Sequence, residues 1–232
     1  MELHKRIGIL GGVSPESTRI YYEYITREYV KRYGSFDYPE IIIYSVNFQE
    51  FRDWTQKEQW HTLTQKMIEV FRTLEKAGAD FGLVTANTLH IVFDELQSES
   101  SLPLVSIIDA TAEAAKKEEM RNVGLVGTIL TMSKDFYKKG LEKNGISTLV
   151  PNREDQQFIN RVIYEELTKG IIRTDSRKRL NNIIEELKLS GAEGIILGCT
   201  EIPLLVKESD CDIRLFDTAT IHAEKALRYA IG

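Results

Sequence analysis

The chain has 232 residues, of which 42% are hydrophobic and 28% charged, a composition typical of a globular protein with a substantial core. Its formal net charge of −5 and sequence pI near 5.5 argue against nucleic acid or an anionic membrane surface as the main partner. No apolar run approaches the roughly 20 residues of a membrane span, and the charged start that leads directly into a strand-like run does not resemble a signal peptide.

Short apolar runs, most of them bounded by glycine, alternate with longer amphipathic stretches along the chain. Each short run predicts a buried strand of a parallel sheet, over residues 6–12, 40–48, 80–87, 102–108, 122–128, 147–152, 194–200 and 213–218. The amphipathic stretches predict helices over 15–33 and within 58–78, 155–170 and 176–191. This alternation predicts an α/β architecture of parallel sheets flanked by helices.

The alternation also repeats itself. The segment 74–88 lies over 187–201 without a gap, so that Gly78 falls on Gly191 and Ala86 falls on Cys199. Both segments share a Gly-Ala-acid sequence between the helix and the strand. These matches favour an internal duplication, although the alternative is that any two α/β units look alike at this level.

The duplication predicts two pseudosymmetric domains. We place the first domain at 1–103 plus 210–232 and the second at 104–209.

Small polar side chains follow several predicted strands. Ligands of open α/β sheets lie beyond the carboxyl ends of the strands, where loops lead into helices. The loops there carry Ser14, Asn87 with Thr88, Thr128, and the run Cys199-Thr200-Glu201. Hydroxyl and amide groups in such loops suit a small, carboxylate-rich ligand. Equally, Ser14, Asn87 and Thr88 could be plain helix caps.

The two cysteines, Cys199 and Cys211, are too few for a disulfide framework, which favours a reducing cytoplasm. A lone cysteine is most often a small buried hydrophobic residue. Cys199, however, is expected just before a helix N-terminus, where the helix dipole would lower the pKa of its thiol and make it a usable base. Cys211 has no such context and is interpreted as structural or superficial.

Cofactors and metals are not expected. The four histidines show no metal-ligand spacing, and His222 is assigned to the core or to an interface of the last helix. The run GILGG at 8–12 is not the GxGxxG pattern of a nicotinamide site.

Four motifs together resemble the aspartate/glutamate racemase family, the cofactor-independent amino-acid racemases. These are IGILGGVSPESTRIYY, ANTLH, GCTEI and FDTATIHAE, and the likeness spans essentially the whole chain. The resemblance implies two α/β domains that face each other across a cleft holding the active site, usually in a homodimer. It also implies an acidic amino acid as substrate, whose Cα proton is removed by one thiol and returned on the opposite face by another, without pyridoxal phosphate.

The resemblance also implies roles for individual residues. Cys199 would be one catalytic thiol, and residue 86 would hold the other. Asn87, Thr88 and Thr200 would bind the α-carboxylate and amino groups, and Asn47 and Gln49 would reach the side-chain carboxylate. The full set of implied substrate-binding residues is Ser14, Asn47, Gln49, Thr85, Asn87, Thr88, Thr128, Thr200 and Glu201, with Arg52 as a weaker candidate.

The sequence departs from the family pattern at the first thiol. Ala86 stands there, and alanine can neither take nor give a proton. Thr85 precedes it, but alternation along a strand should direct the Thr85 side chain to the opposite face. Three functions therefore remain open: a racemase with weak or altered activity, a one-thiol lyase similar to the arylmalonate decarboxylases, and a catalytically silent protein that binds a diacid or an amino acid.

Overall fold

The computed structural model describes residues 4–232, which form two compact units. The first unit comprises the described residues up to Ile107 together with His222–Gly232, and the second is the continuous segment Ile108–Ile221. The chain therefore leaves the first unit at 107/108, near the predicted 103/104, and returns at 221/222. The return lies later than the predicted 209/210 because the last strand pairs with the second sheet.

The first unit contains a four-stranded parallel sheet in the order β2-β1-β3-β4. Its elements are β1 (Ile7–Gly11), α1 (Pro15–Tyr33), β2 (Ile41–Ser45), α2 (Phe48–Gln56), α3 (Trp60–Lys76), β3 (Phe81–Val84), α4 (Phe93–Glu99) and β4 (Leu104–Val105). A short 3₁₀ helix over Thr88–Val92 joins β3 to α4. The predicted strand 102–108 is shorter in the structure, because Ile107 already begins the next helix.

The second unit contains another four-stranded parallel sheet, in the order β6-β5-β7-β8. Its elements are α5 (Ile107–Lys117), β5 (Asn122–Gly127), α6 (Ile129–Ser133), α7 (Asp135–Glu142), β6 (Ser147–Leu149), α8 (Arg153–Glu165), α9 (Thr174–Leu189), β7 (Gly194–Gly198) and β8 (Arg214–Asp217). Short 3₁₀ helices lie at Leu167–Lys169, Ile202–Leu204 and Glu208–Asp210. The last helix, α10 (Thr218–Ile231), begins in this unit and ends in the first.

The two sheets repeat one plan, so the predicted α/β class is confirmed and the predicted repeat is confirmed at the level of strand order. In each unit the second strand lies at one edge and the first and third strands are central. Gly78 and Gly191 both adopt a left-handed φ, of 98° and 101°, where the chain leaves a long helix for the third strand. Glycine adopts this conformation without a steric penalty, which explains the matched stop signals in the sequence.

Helix α1 shows how local sequence sets these bounds. The Ser14 hydroxyl accepts a hydrogen bond from the Ser17 amide, and Pro15 occupies the first turn, where its missing N–H costs nothing. Gly34 closes the helix with φ 66°. The helix therefore spans the predicted residues 15–33.

Separate apolar cores hold each sheet to its helices. In the first unit, α3 buries Leu63, Met67, Phe71 and Leu74, which recur with helical spacing. In the second unit, α9 buries Leu180, Ile183, Ile184 and Leu187 in a cluster that also contains Cys199. The carboxyl end of β7 is thereby placed in well-packed surroundings.

Candidate active site

The loop after β1 is built around the start of α1. Ser14 is buried, and its Oγ accepts the Ser17 amide at 3.1 Å, so the structure places it as the N-cap of that helix. The Thr18 hydroxyl donates to the Ser14 carbonyl at 3.0 Å and accepts from the Gly12 amide at 2.8 Å. Ser14 accepts one bond and keeps its own hydroxyl proton for donation.

The residues predicted after β2 lie on the surface. Asn47 is the N-cap of α2, and its Oδ1 accepts from the Gln49 amide at 3.0 Å. The Gln49 side chain donates to Asp53 at 2.7 Å. Both predicted side chains are exposed, whereas Arg52 is half-buried.

The loop after β3 is held tightly at position 85. Thr85 is fully buried, and both its amide and its hydroxyl donate to the Leu10 carbonyl at 3.2 Å. The predicted orientation, away from position 86, agrees with this bond. The Thr85 hydroxyl therefore joins β3 to β1, and its predicted contact with a substrate stays a prediction.

Ala86, Asn87 and Thr88 follow at the start of the 3₁₀ helix. Ala86 is half-buried and packs against the core of the first unit. The Asn87 side chain is 3% exposed and makes no cap hydrogen bond to that helix. The alternative interpretation of Asn87 as a plain cap is therefore wrong.

Two neighbours of this loop escaped the sequence analysis. The Ser17 hydroxyl donates to the Thr85 carbonyl. His90 Nδ1 lies 2.9 Å from the Ala86 carbonyl. His90 stands four residues after Ala86 within the ANTLH motif, and that spacing, one helical turn, is the only signal the sequence offered.

In the second unit, Thr128 follows β5 as the N-cap of α6. Its Oγ1 accepts from the Thr131 amide at 3.3 Å and lies 3.0 Å from the Thr131 hydroxyl. Asn160 Oδ1 accepts from the next amide, that of Ile129, at 2.9 Å. Thr128 as a whole is buried, at 7% exposure.

The loop after β7 brings three predicted residues together. Cys199 Sγ lies 3.1 Å from Glu201 Oε2, and the Thr200 hydroxyl donates to the same oxygen at 2.9 Å. All three residues are buried, at 7%, 5% and 4% exposure in chain order. The Glu201 carboxylate thus accepts hydrogen bonds from both neighbours, and its predicted contact with a substrate stays a prediction.

The electrostatics of Cys199 contradict the prediction of an acidic thiol. Burial raises the pKa of the Cys199 thiol well above its ordinary value, and the negative charge of Glu201 raises it further. The following helix, Ile202–Leu204, is a single 3₁₀ turn, and so short a helix has too few aligned peptides for an effective dipole. The resting form of this side chain is therefore the protonated thiol.

The remaining predicted positions are structural. His222 is completely buried in the first unit, which confirms its assignment to the core. Cys211 is half-buried, and both cysteines are free thiols. Among residues 4–232, no cluster of three or more His, Cys, Asp or Glu side chains could hold a metal ion. Within the same range, no helix is long and apolar enough to cross a membrane.

Comparison with known proteins defines the class. The family described as Asp/Glu/hydantoin racemase matches residues 10–226, and the chain belongs to that family. One relative is the broad specificity amino-acid racemase RacX of Bacillus subtilis, 25% identical over 224 residues, which cover 95% of this chain and 96% of RacX.

Two solved structures share the fold over nearly the whole chain. An aspartate racemase homologue from Pyrococcus horikoshii is 43% identical with a TM-score of 0.86, covering 98% of this chain and 100% of that one. A candidate Asp/Glu racemase from Yersinia pestis is 41% identical with a TM-score of 0.92 and the same coverage. Family and relatives together support an amino-acid racemase, a kind of isomerase.

Proposed function

We propose that the protein is a cofactor-independent racemase of an acidic amino acid, aspartate or glutamate, with Cys199 as the group that exchanges the Cα proton. The observation that carries this proposal is the buried Cys199–Glu201 pair at the carboxyl end of β7. A buried thiol beside a carboxylate has a proton acceptor within hydrogen-bond reach, which proton abstraction from carbon requires.

The Cys199–Glu201 pair produces a thiolate base and uses it in two steps. The Cys199 thiol passes its proton to Glu201 Oε2, which leaves a thiolate and a neutral carboxyl group. The thiolate then takes the Cα proton of the substrate and becomes a thiol again, while the electron pair of the broken C–H bond delocalises into the substrate carboxylate as an enediolate. Donors directed at that carboxylate stabilise it.

The polar loops are suited to that stabilisation. Ser14 retains a hydroxyl proton, and Asn87 and Thr88 follow directly after position 86. We propose these three, with Thr128 and Thr200, as contacts of the α-carboxylate and amino groups. Asn47 and Gln49 would recognise the side-chain carboxylate, and half-buried Arg52 could contribute the charge.

The second face of Cα is where this chain differs from its family pattern. Ala86 has no proton to give, and the hydroxyl of Thr85 is committed to the Leu10 carbonyl. We therefore propose that return of a proton to that face relies on water, which lowers the rate of inversion relative to the rate of proton exchange.

One observation favours a second candidate function. A thiol with a raised pKa rests in the protonated form, so the proton is already in place, and delivery of one proton to one face is all that a one-thiol lyase requires. Such an enzyme would release carbon dioxide from a substituted malonate and protonate the resulting carbanion with Cys199. A silent protein that only binds a diacid is the third candidate.

Proton NMR in deuterium oxide distinguishes the three. If the protein is a racemase, single enantiomers of aspartate or glutamate lose both their α-proton signal and their enantiomeric purity. The α-proton signal should disappear faster than the enantiomeric purity. A lyase leaves both amino acids intact but decarboxylates an arylmalonate, and a silent binder is only stabilised by ligand. The variant Cys199→Ala should abolish all proton chemistry; activity that survived it would refute the role of the thiol.

We also propose a homodimer in the cytoplasm. The first unit exposes a run of large apolar side chains between α1 and the edge strand β2, namely Tyr22, Tyr33, Phe36, Tyr38, Ile43 and Tyr44. Exposed apolar side chains on an edge strand and the adjacent helix suit a contact with a second copy. Two free thiols suit a reducing compartment.

A further inference from the structure

His90 occupies a bridging position in the first unit. Its Nδ1 lies 2.9 Å from the Ala86 carbonyl, and its Nε2 accepts from the Ile107 amide at 3.1 Å. The ring is 4% exposed and stacks on Phe93 with an interplanar angle of 9° and a centroid separation of 4.8 Å. One side chain thus joins the loop after β3 to Ile107, where the chain leaves the first unit.

These two partners fix the protonation of the ring. A carbonyl oxygen can only accept, so Nδ1 must carry a proton, and a backbone N–H can only donate, so Nε2 must be bare. His90 is therefore a neutral imidazole in the Nδ1–H tautomer. Burial also lowers the pKa of His90, to about 4, which keeps it neutral over the physiological range.

A second side chain holds the preceding peptide group. The Ser17 hydroxyl donates to the Thr85 carbonyl, and Ser17 is completely buried. The Thr85 amide is held from the other strand by the Leu10 carbonyl at 3.2 Å. The peptide groups on both sides of Ala86 are therefore fixed by side chains that come from elsewhere in the unit.

We propose that His90 and Ser17 are positioning residues, which orient the peptide groups that flank Ala86 and thereby aim Asn87 and Thr88 at the substrate carboxylate. The proposal rests on the proposed racemase function for its effect on activity. Fixed donors are worth more than mobile ones because no reorganisation is needed during the reaction. A displacement of such groups by about 1 Å can cost about 100-fold in rate.

His222 offers a matched control. It is completely buried and its ring lies edge-on to that of His90 at a centroid separation of 6.1 Å, but its ring bonds go to the Tyr21 hydroxyl and the Val105 carbonyl, both at 2.8 Å. Neither partner belongs to the loop 85–88. A substitution that removes the hydrogen bonds of His222 therefore disturbs a buried histidine in the same unit without releasing the Ala86 carbonyl.

Two substitutions separate the two bonds of His90. In His90→Asn, the side-chain nitrogen stands at the same number of bonds from Cβ as Nδ1 and can still donate to Ala86. In His90→Gln, the side-chain oxygen stands at the place of Nε2 and can still accept from Ile107, but the bond to Ala86 is lost.

The test compares these variants with His222→Gln by aspartate α-proton exchange, melting temperature and NMR of the full-length protein. We expect His90→Gln to lower kcat/KM by about 10- to 100-fold, while His90→Asn and His222→Gln stay within about threefold once matched for the folded fraction. The Asn87 and Thr88 amide resonances should shift and exchange faster in His90→Gln alone.

Each outcome decides one proposal. Equal activity and equal loop amide exchange in His90→Asn and His90→Gln would overturn the positioning role and leave His90 a purely structural residue. If the wild-type protein exchanges no α-proton but the loop amides respond as expected, the racemase function fails and the positioning role stands. Wild-type ¹⁵N shifts that show the Nε2–H tautomer at His90 would contradict its geometry directly.

Discussion

Cys199 Sγ lies 3.1 Å from Glu201 Oε2 inside the core of the second unit, although the two residues are separated by only one position in the chain. The same carboxylate oxygen accepts the Thr200 hydroxyl at 2.9 Å. A single turn of backbone therefore places the thiol beside the group that can accept its proton. The chemistry proposed for this protein depends on that acceptor as much as on the thiol.

Replacing Glu201 with Gln should separate the two effects of the carboxylate. Gln keeps the shape but cannot take the Cys199 proton, so we expect α-proton exchange to fall by about 100-fold or more at neutral pH. Loss of the charge also removes one of the causes that raise the pKa of Cys199, so the remaining activity should rise at a lower pH than in the wild type. Rates of aspartate exchange from about pH 6 to about pH 9 would show this.

The matched control for that experiment is Glu208→Gln. Glu208 lies in the same unit on an exposed 3₁₀ turn, and its carboxylate pairs with Arg214. An equal loss in both variants would mean that Glu201 acts only through stability.

Introducing a thiol by Ala86→Cys should increase racemisation more than exchange. Ala86 is half-buried at the position proposed for the first thiol, and a second positioned acid would relieve the proposed dependence on water at that face. We expect inversion of aspartate to rise by about 10- to 100-fold, since general acid–base groups typically contribute about 100-fold or more. Chiral chromatography after fixed times would measure it.

Ala86→Ser is the control of similar size, because a hydroxyl is a far weaker acid than a thiol. If Ala86→Cys inverts aspartate no faster than Ala86→Ser, the loop around position 86 differs from the family pattern by more than the loss of the thiol.

Acid should destabilise the first unit through its two buried histidines. Burial lowers the pKa of His90 to about 4 and that of His222 to about 3, with a further lowering of His222 by His90. The unfolded chain binds these protons near pH 6.5, so the stability is complete above that value and is lost as the pH falls toward 4 and then 3. For His90 alone the loss is on the order of 3 kcal/mol.

Urea denaturation at neutral pH and between about pH 6 and about pH 4 would measure this loss. The variant His222→Gln should flatten the dependence, since it removes one of the two groups. A free energy of unfolding that stayed constant over the acidic range would show that the two rings are not kept neutral by the fold.

The proposed dimer contact can be tested at Phe36. This side chain is 84% exposed, so Phe36→Asp should leave the stability of the subunit nearly unchanged but weaken a contact made by that surface. Light scattering should then give a lower mass for Phe36→Asp than for the wild type. Leu189→Asp is the control, because Leu189 is 79% exposed but lies at the end of α9 in the second unit. A wild-type protein that is monomeric, or a Phe36→Asp variant that remains dimeric, would refute this contact.

Strong periodic patterns made most of the fold predictable. All eight predicted strands exist, because strands of a parallel sheet are buried on both faces and therefore appear in the sequence as continuous apolar runs. Shorter helices such as α2, α6 and α7 were missed, since five to nine residues give too few apolar repeats to register. The end of the second domain was misplaced because nothing in the sequence of β8 tells which sheet it joins.

The bonds of the candidate site could not be predicted from the sequence. Motif and loop position singled out Cys199 and Glu201, whose roles stay predictions, but the expected direction of the thiol pKa was wrong. That direction depends on burial in a core contributed by α8 and α9 and on a bond to Glu201, neither of which a sequence displays. His90 was overlooked because its bond to Ala86 becomes visible only once the backbone turns after β3.

The discontinuous first unit also constrains how the protein is made. The Lys5 amide donates to the Ala230 carbonyl at 2.9 Å, so residues that precede the second unit in the sequence are joined within the first unit to residues that follow it. Residues 108–221 of the second unit are all available earlier. Because compact units generally fold as their sequence emerges, the ribosome delivers the second unit, which carries Cys199, complete while the first unit still lacks residues 222–232.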